Sequence, residues 1–307
     1  MPPRSPLPQR QGLDAAWVRT PDRDPSSPAR WATMRNFLVD RLPNAVPVDA
    51  RLDAGEFVDQ AGKPWTREEP YRPNAFIWFH RPLGPEPVVP FAVEVLHQDA
   101  RIVVVDKPHF LATTPNGTHV RESVLVRLRD SLDLPELTPA HRLDRLTAGV
   151  LVLTTQRVYR GVYAGLFQTH DVEKTYEALA PFDPTLGFPR RVTSRIEKHR
   201  GRLQAEVVAG EPNAETLVEV VETRGQVARY RLTPATGKTH QLRVQMAALG
   251  LPILGDSLYP SVLDVDPADF TAPLQLVARG LRFTDPADQT PRDYTSRFAL
   301  EWPGAAR

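Results

Sequence analysis

The chain has 307 residues, 41% of them hydrophobic and 24% charged, a globular composition that excludes wholesale disorder and fibrous repeats. It contains no cysteine, which removes disulfides, thiol nucleophiles and thiolate zinc sites together. Thirty-eight Lys and Arg against 37 Asp and Glu leave a formal charge of +1, so affinity for nucleic acid has to come from local clustering.

The length suggests about two folded units. Residues 1–28 carry proline at a density that opposes helix and sheet alike, and a disordered arm is expected there. That segment has no apolar core of a signal peptide. No run elsewhere approaches the ~20 apolar residues of a membrane span, so a cytoplasmic protein without a membrane partner is expected. Over residues 29–42, Trp31, Met34, Leu38 and Leu42 fall at helical spacing until Pro43 stops the pattern. Short apolar stretches at 46–48, 56–58 and 75–79 complete a small helix-plus-hairpin module spanning 29–80. Prolines 82, 85, 87 and 90 make 81–90 read as a linker.

The larger unit, 91–307, opens with a buried-strand candidate at 102–105, closed by Asp106-Lys107-Pro108. An amphipathic helix is expected over 122–132, with Leu125, Leu128 and Leu132 on one face. An apolar strand follows at 150–153, and Tyr159, Val162, Tyr163 and Leu166 mark another helix. The chain then turns mostly β, at 174–180, 203–208, 216–223 and 227–233. In the last of these Ala228, Tyr230 and Leu232 alternate with polar residues, as in a strand with one wet face. A final helix is expected over 239–249, ending at Gly250. The fold class is therefore α+β, with a mostly antiparallel sheet and flanking helices.

Three clusters could carry chemistry. His141-Arg142-Leu143-Asp144-Arg145 stands immediately before an apolar strand, and nearby cations would keep Asp144 ionised as a nucleophile or base. A salt-bridged turn is the alternative. On a helix running on from the Thr236–Gln245 cluster, Leu242, Met246 and Leu249 would face the core, which leaves Arg243 partly buried and in need of a carboxylate. Gly237-Lys238-Thr239 ends like a phosphate-binding loop, but the first glycine of such a loop would fall on Leu232, which argues against an NTPase. Six cations between Arg190 and Arg202 form either a phosphate-contacting surface or a solvated loop. The eight histidines show no metal-binding spacing.

His141-Arg142-Leu143-Asp144 with Thr147-Ala148-Gly149 closely resembles the catalytic motif of the RluA-type pseudouridine synthases. Asp106-Lys107-Pro108 with Leu111 and Pro115, Glu173 through Ala178, and Gly237 through Asp256 are similar to three further motifs of that family, in the same order. The resemblance implies a cofactor-free, metal-free isomerisation in which the uracil of a uridine in RNA is detached, rotated and rejoined through its five-position carbon. It implies that Asp144 is the essential carboxylate and that Arg243 is its paired cation. Tyr176 would stack on the uracil, and Arg142 would fill the gap left by the extruded base. Arg145, Lys107, Lys174 and His240 are expected to contact RNA through these motifs, and Arg195 and Lys198 through the basic cluster. The chain departs from the family pattern at Gln245 and at Leu146. Its partner would be ribosomal or transfer RNA, with ribosomal RNA favoured because residues 29–79 faintly resemble an upstream RNA-binding unit. A monomer is expected. An RNA-binding or ribosome-assembly factor without turnover is the alternative.

Overall fold

A computed structural model describes residues 3–22, 30–117 and 119–304. The chain divides into two compact units, Met1–Pro85 and Glu86–Arg307.

In the smaller unit, β1 (Ala16–Arg19) pairs antiparallel with the later strand of a two-stranded sheet. The expectation of a disordered arm over 1–28 is therefore corrected. Prolines lapse between Pro8 and Pro21, and Ala16 and Val18 turn inward onto a core. The rest of that expectation, residues 1–2 and 23–28, lies outside the described residues. Helix α1 (Met34–Arg41) starts at Thr33, whose hydroxyl accepts from the Asn36 N–H while the Asn36 side chain caps the Thr33 N–H. Then come α2 (Val48–Asp53) and β2 (Phe76–Phe79), the partner of β1. Met34, Phe37, Leu38, Leu52, Phe57, Trp65 and Ile77 close the core.

The larger unit runs β3 (Glu94–Gln98), β4 (Ile102–Lys107), α3 (Val124–Ser131), β5 (Thr138–Pro139), β6 (Ala148–Thr154), α4 (Arg157–Gln168), β7 (Glu173–Pro181), β8 (Arg190–Glu197), β9 (Glu206–Val208), β10 (Ala214–Arg224), β11 (Val227–Pro234), α5 (Gln241–Ala248), β12 (Leu276–Thr284) and β13 (Pro291–Thr295). The strands form one sheet in the order β3-β4-β6-β12-β7-β11-β10-β8-β9, with β13 on β12 and β5 on β6. All the pairings are antiparallel except β6 with β12. The parallel joint is close: Gly149 has φ +120°, and a Cβ there would lie 2.3 Å from the Ala278 carbonyl oxygen. Only glycine fits.

The linker reading of 81–90 also needs correction. The Glu86 carboxylate accepts from the N–H groups of Val120, Arg121 and Glu122, and Val89 is buried with its N–H on Glu122. The second half of that stretch is docked onto the larger unit. The basic segment at 190–202 opens as strand β8 rather than a loop, because β10 supplies its backbone partners.

Burial on the two sheet faces sets up the site. Ile102, Val104, Val150 and Val152 face α4, where Tyr163 packs on them. Val103, Val105, Leu151 and Leu153 face the other way, onto Leu125 and Leu128 of α3. Farther along the sheet, Ala178, Tyr230 and Leu232 meet Leu242 and Met246 of α5. Leu146 and Tyr176 pack against both the α3 and the α5 clusters, so they stand at the seam between them.

Candidate active site

Asp144 lies in the loop between β5 and β6, and the segment after β4 holds that loop by its backbone. The Thr113 hydroxyl donates to the Leu143 carbonyl at 2.7 Å and accepts its N–H at 3.1 Å. Lys107 Nζ donates to the Arg145 carbonyl at 3.1 Å, and His109 Nδ1 lies 2.7 Å from the Leu146 carbonyl oxygen. The Thr147 N–H closes the turn onto the Asp144 carbonyl at 3.1 Å. With its carbonyls engaged, the loop presents the Asp144 side chain from a fixed frame. That side chain remains 29% exposed.

Among the described residues, the ion-pair contacts of Asp144 come from α5 and the residue before it. Arg243 Nη1 is 3.6 Å from one carboxylate oxygen, and His240 Nε2 is 4.0 Å from the other. The cation beside Asp144 is not one of its flanking arginines, so the salt-bridged turn is not formed. Arg142 points to solvent, and Arg145 is half-buried without an ion pair to it. A residue about a hundred positions downstream supplies the cation instead.

Arg243 is almost fully buried and has a tighter partner. Its Nε and Nη2 form a two-pronged contact with Asp256, at 2.8 and 2.6 Å. Asp256 also accepts the N–H groups of Leu258 and Tyr259, and the Tyr259 ring lies 5.4 Å from the guanidinium. Gly255 makes this approach possible: at φ +74°, a Cβ there would stand 2.4 Å from the Pro273 carbonyl oxygen. Burial opposes the guanidinium charge, but the Asp256 hydrogen bonds and the two carboxylates outweigh it and raise the Arg243 pKa. Asp256 thus fixes the cation, which leaves Asp144 within its field but outside a short hydrogen bond. Asp256 and Tyr259 were legible only as the tail of the third motif, and nothing in their spacing marks them as partners of Arg243.

Tyr176 on β7 faces the seam beside Asp144. Burial, reinforced by the Asp144 charge, raises its phenol pKa well above the ordinary value, so it stands neutral. Gln245, one of the two departures from the family pattern, is buried and satisfied. Its oxygen accepts from Thr216 at 2.7 Å, and its amide donates to Ser194 at 2.9 Å and to the Val192 carbonyl at 3.3 Å. Leu146, the other departure, fills the core seam.

The remaining expected RNA contacts divide. Lys107 is fully buried, and its ammonium donates to the carbonyls of Pro108, Leu111 and Arg145. It is corrected from an RNA contact to a support of the loop, since no donor is left for a phosphate. Burial lowers its pKa to about 7, against the opposing pull of Asp144. Lys174 is half-buried and reaches the Thr236 carbonyl at 3.2 Å. His240 stands before α5 with φ +57° and its Nδ1 is 3.0 Å from the Tyr259 hydroxyl. Burial lowers the His240 pKa. Asp144 opposes that shift, while Arg243 and Lys198 add to it. Acids partly neutralise the basic strand: Arg191 pairs with Glu215, Arg195 with Glu197 and Arg202 with Glu206. Lys198 donates to the carbonyls of His199 and Arg202.

Among the described residues no group of three His, Asp or Glu side chains is arranged to hold a metal ion, and no helix is long and apolar enough to cross a membrane. Chemically, the centre offers one partly exposed carboxylate on a fixed loop, a buried guanidinium beside it and a neutral phenol at the adjoining seam. Such a set can attack an electrophilic carbon or remove a carbon-bound proton, and stack a flat ring.

Comparison with known proteins agrees with that chemistry. Residues 101–248 match the RNA pseudouridylate synthase family. A dual-specificity RNA pseudouridine synthase RluA of Salmonella typhi is 34% identical over 204 residues, which cover 63% of this chain and 87% of that protein. Its Escherichia coli K12 counterpart is 35% identical over 176 residues, covering 54% and 77%. Among solved structures, human RNA pseudouridylate synthase domain containing 4 superposes with a TM-score of 0.51 at 26% identity, covering 67% of this chain and 88% of that one. Human RNA pseudouridylate synthase domain containing 1 gives a TM-score of 0.55 at 23% identity over 70% and 86%, which speaks for the fold. With its motifs in family order and a relative of this identity matched over most of its length, the chain belongs to the RluA-type pseudouridine synthases, isomerases of uridine in RNA.

Proposed function

We propose that the chain converts specific uridines of structured RNA to pseudouridine, with Asp144 as the reacting carboxylate and no cofactor. The arrangement that carries this reading is the Asp144 carboxylate, 3.6 Å from an Arg243 that Asp256 already holds. Asp144 stays partly open, whereas its cation is buried and held by Asp256. The isomerisation changes neither the atoms nor the oxidation level of the nucleoside, so it calls for no group donor or redox partner. Asp144 either attacks the ribose or takes a ribose proton. Arg243 holds the carboxylate aimed, and Tyr176 stacks on the detached uracil and assists proton removal from its five-position carbon. Arg142, exposed two residues before Asp144, fills the space of the extruded base.

Arg145, Lys174, His240, Arg195 and Lys198 contact the RNA around that base. The basic cluster over 190–202 supplies Arg195 and Lys198 to this reading. Ribosomal RNA is the favoured substrate because the smaller unit stands upstream as a candidate second RNA contact. The Salmonella and Escherichia relatives are called dual-specificity enzymes, so transfer RNA belongs in the same test.

Tritium release from RNA labelled at the uracil five position tests the reading, with ribosomal and transfer RNA assayed separately. Release by the wild type and none by Asp144→Asn is expected. Folded wild type that releases nothing from either RNA removes the proposal and leaves an RNA-binding role. Pseudouridine maps of cells with and without the gene then identify the target.

A further inference from the structure

His240 is held by more of the structure than a surface RNA contact needs. The Tyr259 hydroxyl accepts the Ala205 N–H at 2.6 Å and lies 3.0 Å from the Ala205 carbonyl oxygen. Ala205 is buried, and no other donor to that carbonyl occurs among the described residues, so the single phenol proton goes to it. Toward His240 Nδ1, at 3.0 Å, the same oxygen is then an acceptor, which puts the imidazole proton on Nδ1. Burial disfavours a second proton. Nε2 is therefore a bare lone pair standing 4.0 Å from an Asp144 oxygen, with no hydrogen-bond partner among the described residues.

Two acceptors side by side call for a donor between them. Asp144 reacts at the ribose whichever route it takes, and an internal ribonucleotide carries a single free hydroxyl, at the 2′ carbon beside the glycosidic one. We infer that His240 accepts a hydrogen bond from the 2′-hydroxyl of the target ribose, which seats the sugar over Asp144 and distinguishes RNA from DNA at that nucleotide. The 2′-hydroxyl is the group by which a protein can tell the two apart. The left-handed backbone at His240 and its position three residues before Arg243 tie this acceptor to the element that aims Asp144. The inference rests on the reading that the site isomerises uridine in RNA.

The test uses a synthetic stem-loop spanning the uridine identified by the mapping, in three versions: ribose, 2′-deoxy and 2′-fluoro at that one position. Wild type is expected to bind the ribose version roughly fivefold tighter than either analogue, about one hydrogen bond. His240→Ala should bind all three alike, having lost affinity only for the ribose version. Tyr259→Phe, which releases the tautomer, should narrow the ratio and serves if His240→Ala does not fold. A purely structural role for His240 would weaken the three versions equally, and an unchanged ratio in both variants overturns the inference. Wild type that makes no pseudouridine in the ribose version instead overturns the underlying reading.

Discussion

Two carboxylates of the larger unit each meet arginine, and they are built in opposite ways. Asp285, at the end of β12, is fully buried and spends its oxygens. It accepts from Tyr163 at 2.8 Å, Arg292 at 2.9 Å, Arg101 at 3.2 Å and the Ala287 N–H at 3.0 Å. Asp144 is 29% exposed, with its closest cation at 3.6 Å and no short side-chain hydrogen bond among the described residues. A carboxylate that holds a fold together uses up its lone pairs. One proposed to react keeps them free, and its neighbours bond to each other instead, as Arg243 does to Asp256.

The largest expected effect breaks that contrast directly. Asp144→Asn should lower turnover by about 10³-fold or more with the melting temperature nearly unchanged. Asp285→Asn should cost about 3 kcal/mol of stability, from an unbalanced, partly buried arginine pair around a fully buried side chain, while the folded fraction keeps near-normal turnover. Tritium release and urea melts on both variants check this, and a swap of the two phenotypes would defeat the comparison.

Arg243→Lys comes next. An ammonium cannot keep the two-pronged contact to Asp256 and also face Asp144, so turnover should fall by about 10²-fold with a smaller change in KM. Equal activity of the Lys variant would mean that charge alone matters and that the guanidinium geometry does not.

Titration sharpens the comparison at groups that are stored neutral. Burial lowers the His141 pKa to about 3, and its Nε2 accepts the Val152 N–H at 3.1 Å. Burial likewise lowers His109 to about 4. Below the ordinary pKa near 6.5 the unfolded chain takes up protons that the folded chain refuses, so stability is complete above that pH and is lost as pH falls toward 4. From pH 6.5 to 5 each histidine should cost about 2 kcal/mol. Urea midpoints across that range read the slope. His141→Gln, which can still accept from Val152, should flatten it, and an unaltered slope would assign the acid loss to other groups.

The smallest effect belongs to the rim. Lys198→Ala should weaken RNA binding only a few-fold and lower the salt dependence of affinity by about one counterion, with turnover at saturating RNA intact. Filter binding at several salt concentrations measures it.

Legibility followed the range of the interactions. The alternation of Ala228, Tyr230 and Leu232 marks β11, and all three are buried in the structure, because a strand's faces are set by neighbours two residues apart. Strand β8 is not legible as a strand, since its arginines hide a pairing that only β10 supplies. Strand β1 was lost in the proline count for the same reason: its partner begins at Phe76. Within the site, Asp144 and Arg243 stand out as charged residues beside apolar runs. Lys107 reads the same way, yet it is walled in by three carbonyls.

By itself, the sequence determined the α+β class, the order of the motifs and the residue types that can do the chemistry, because these follow from local periodicity and from side-chain reactivity. Tertiary structure alone decided which charges meet. Asp256 takes the guanidinium, Lys107 disappears into the core, and His240 turns one nitrogen to Tyr259 and the other toward Asp144. Burial and hydrogen-bond partnership depend on what the rest of the chain brings alongside, and spacing along the backbone carries no record of that.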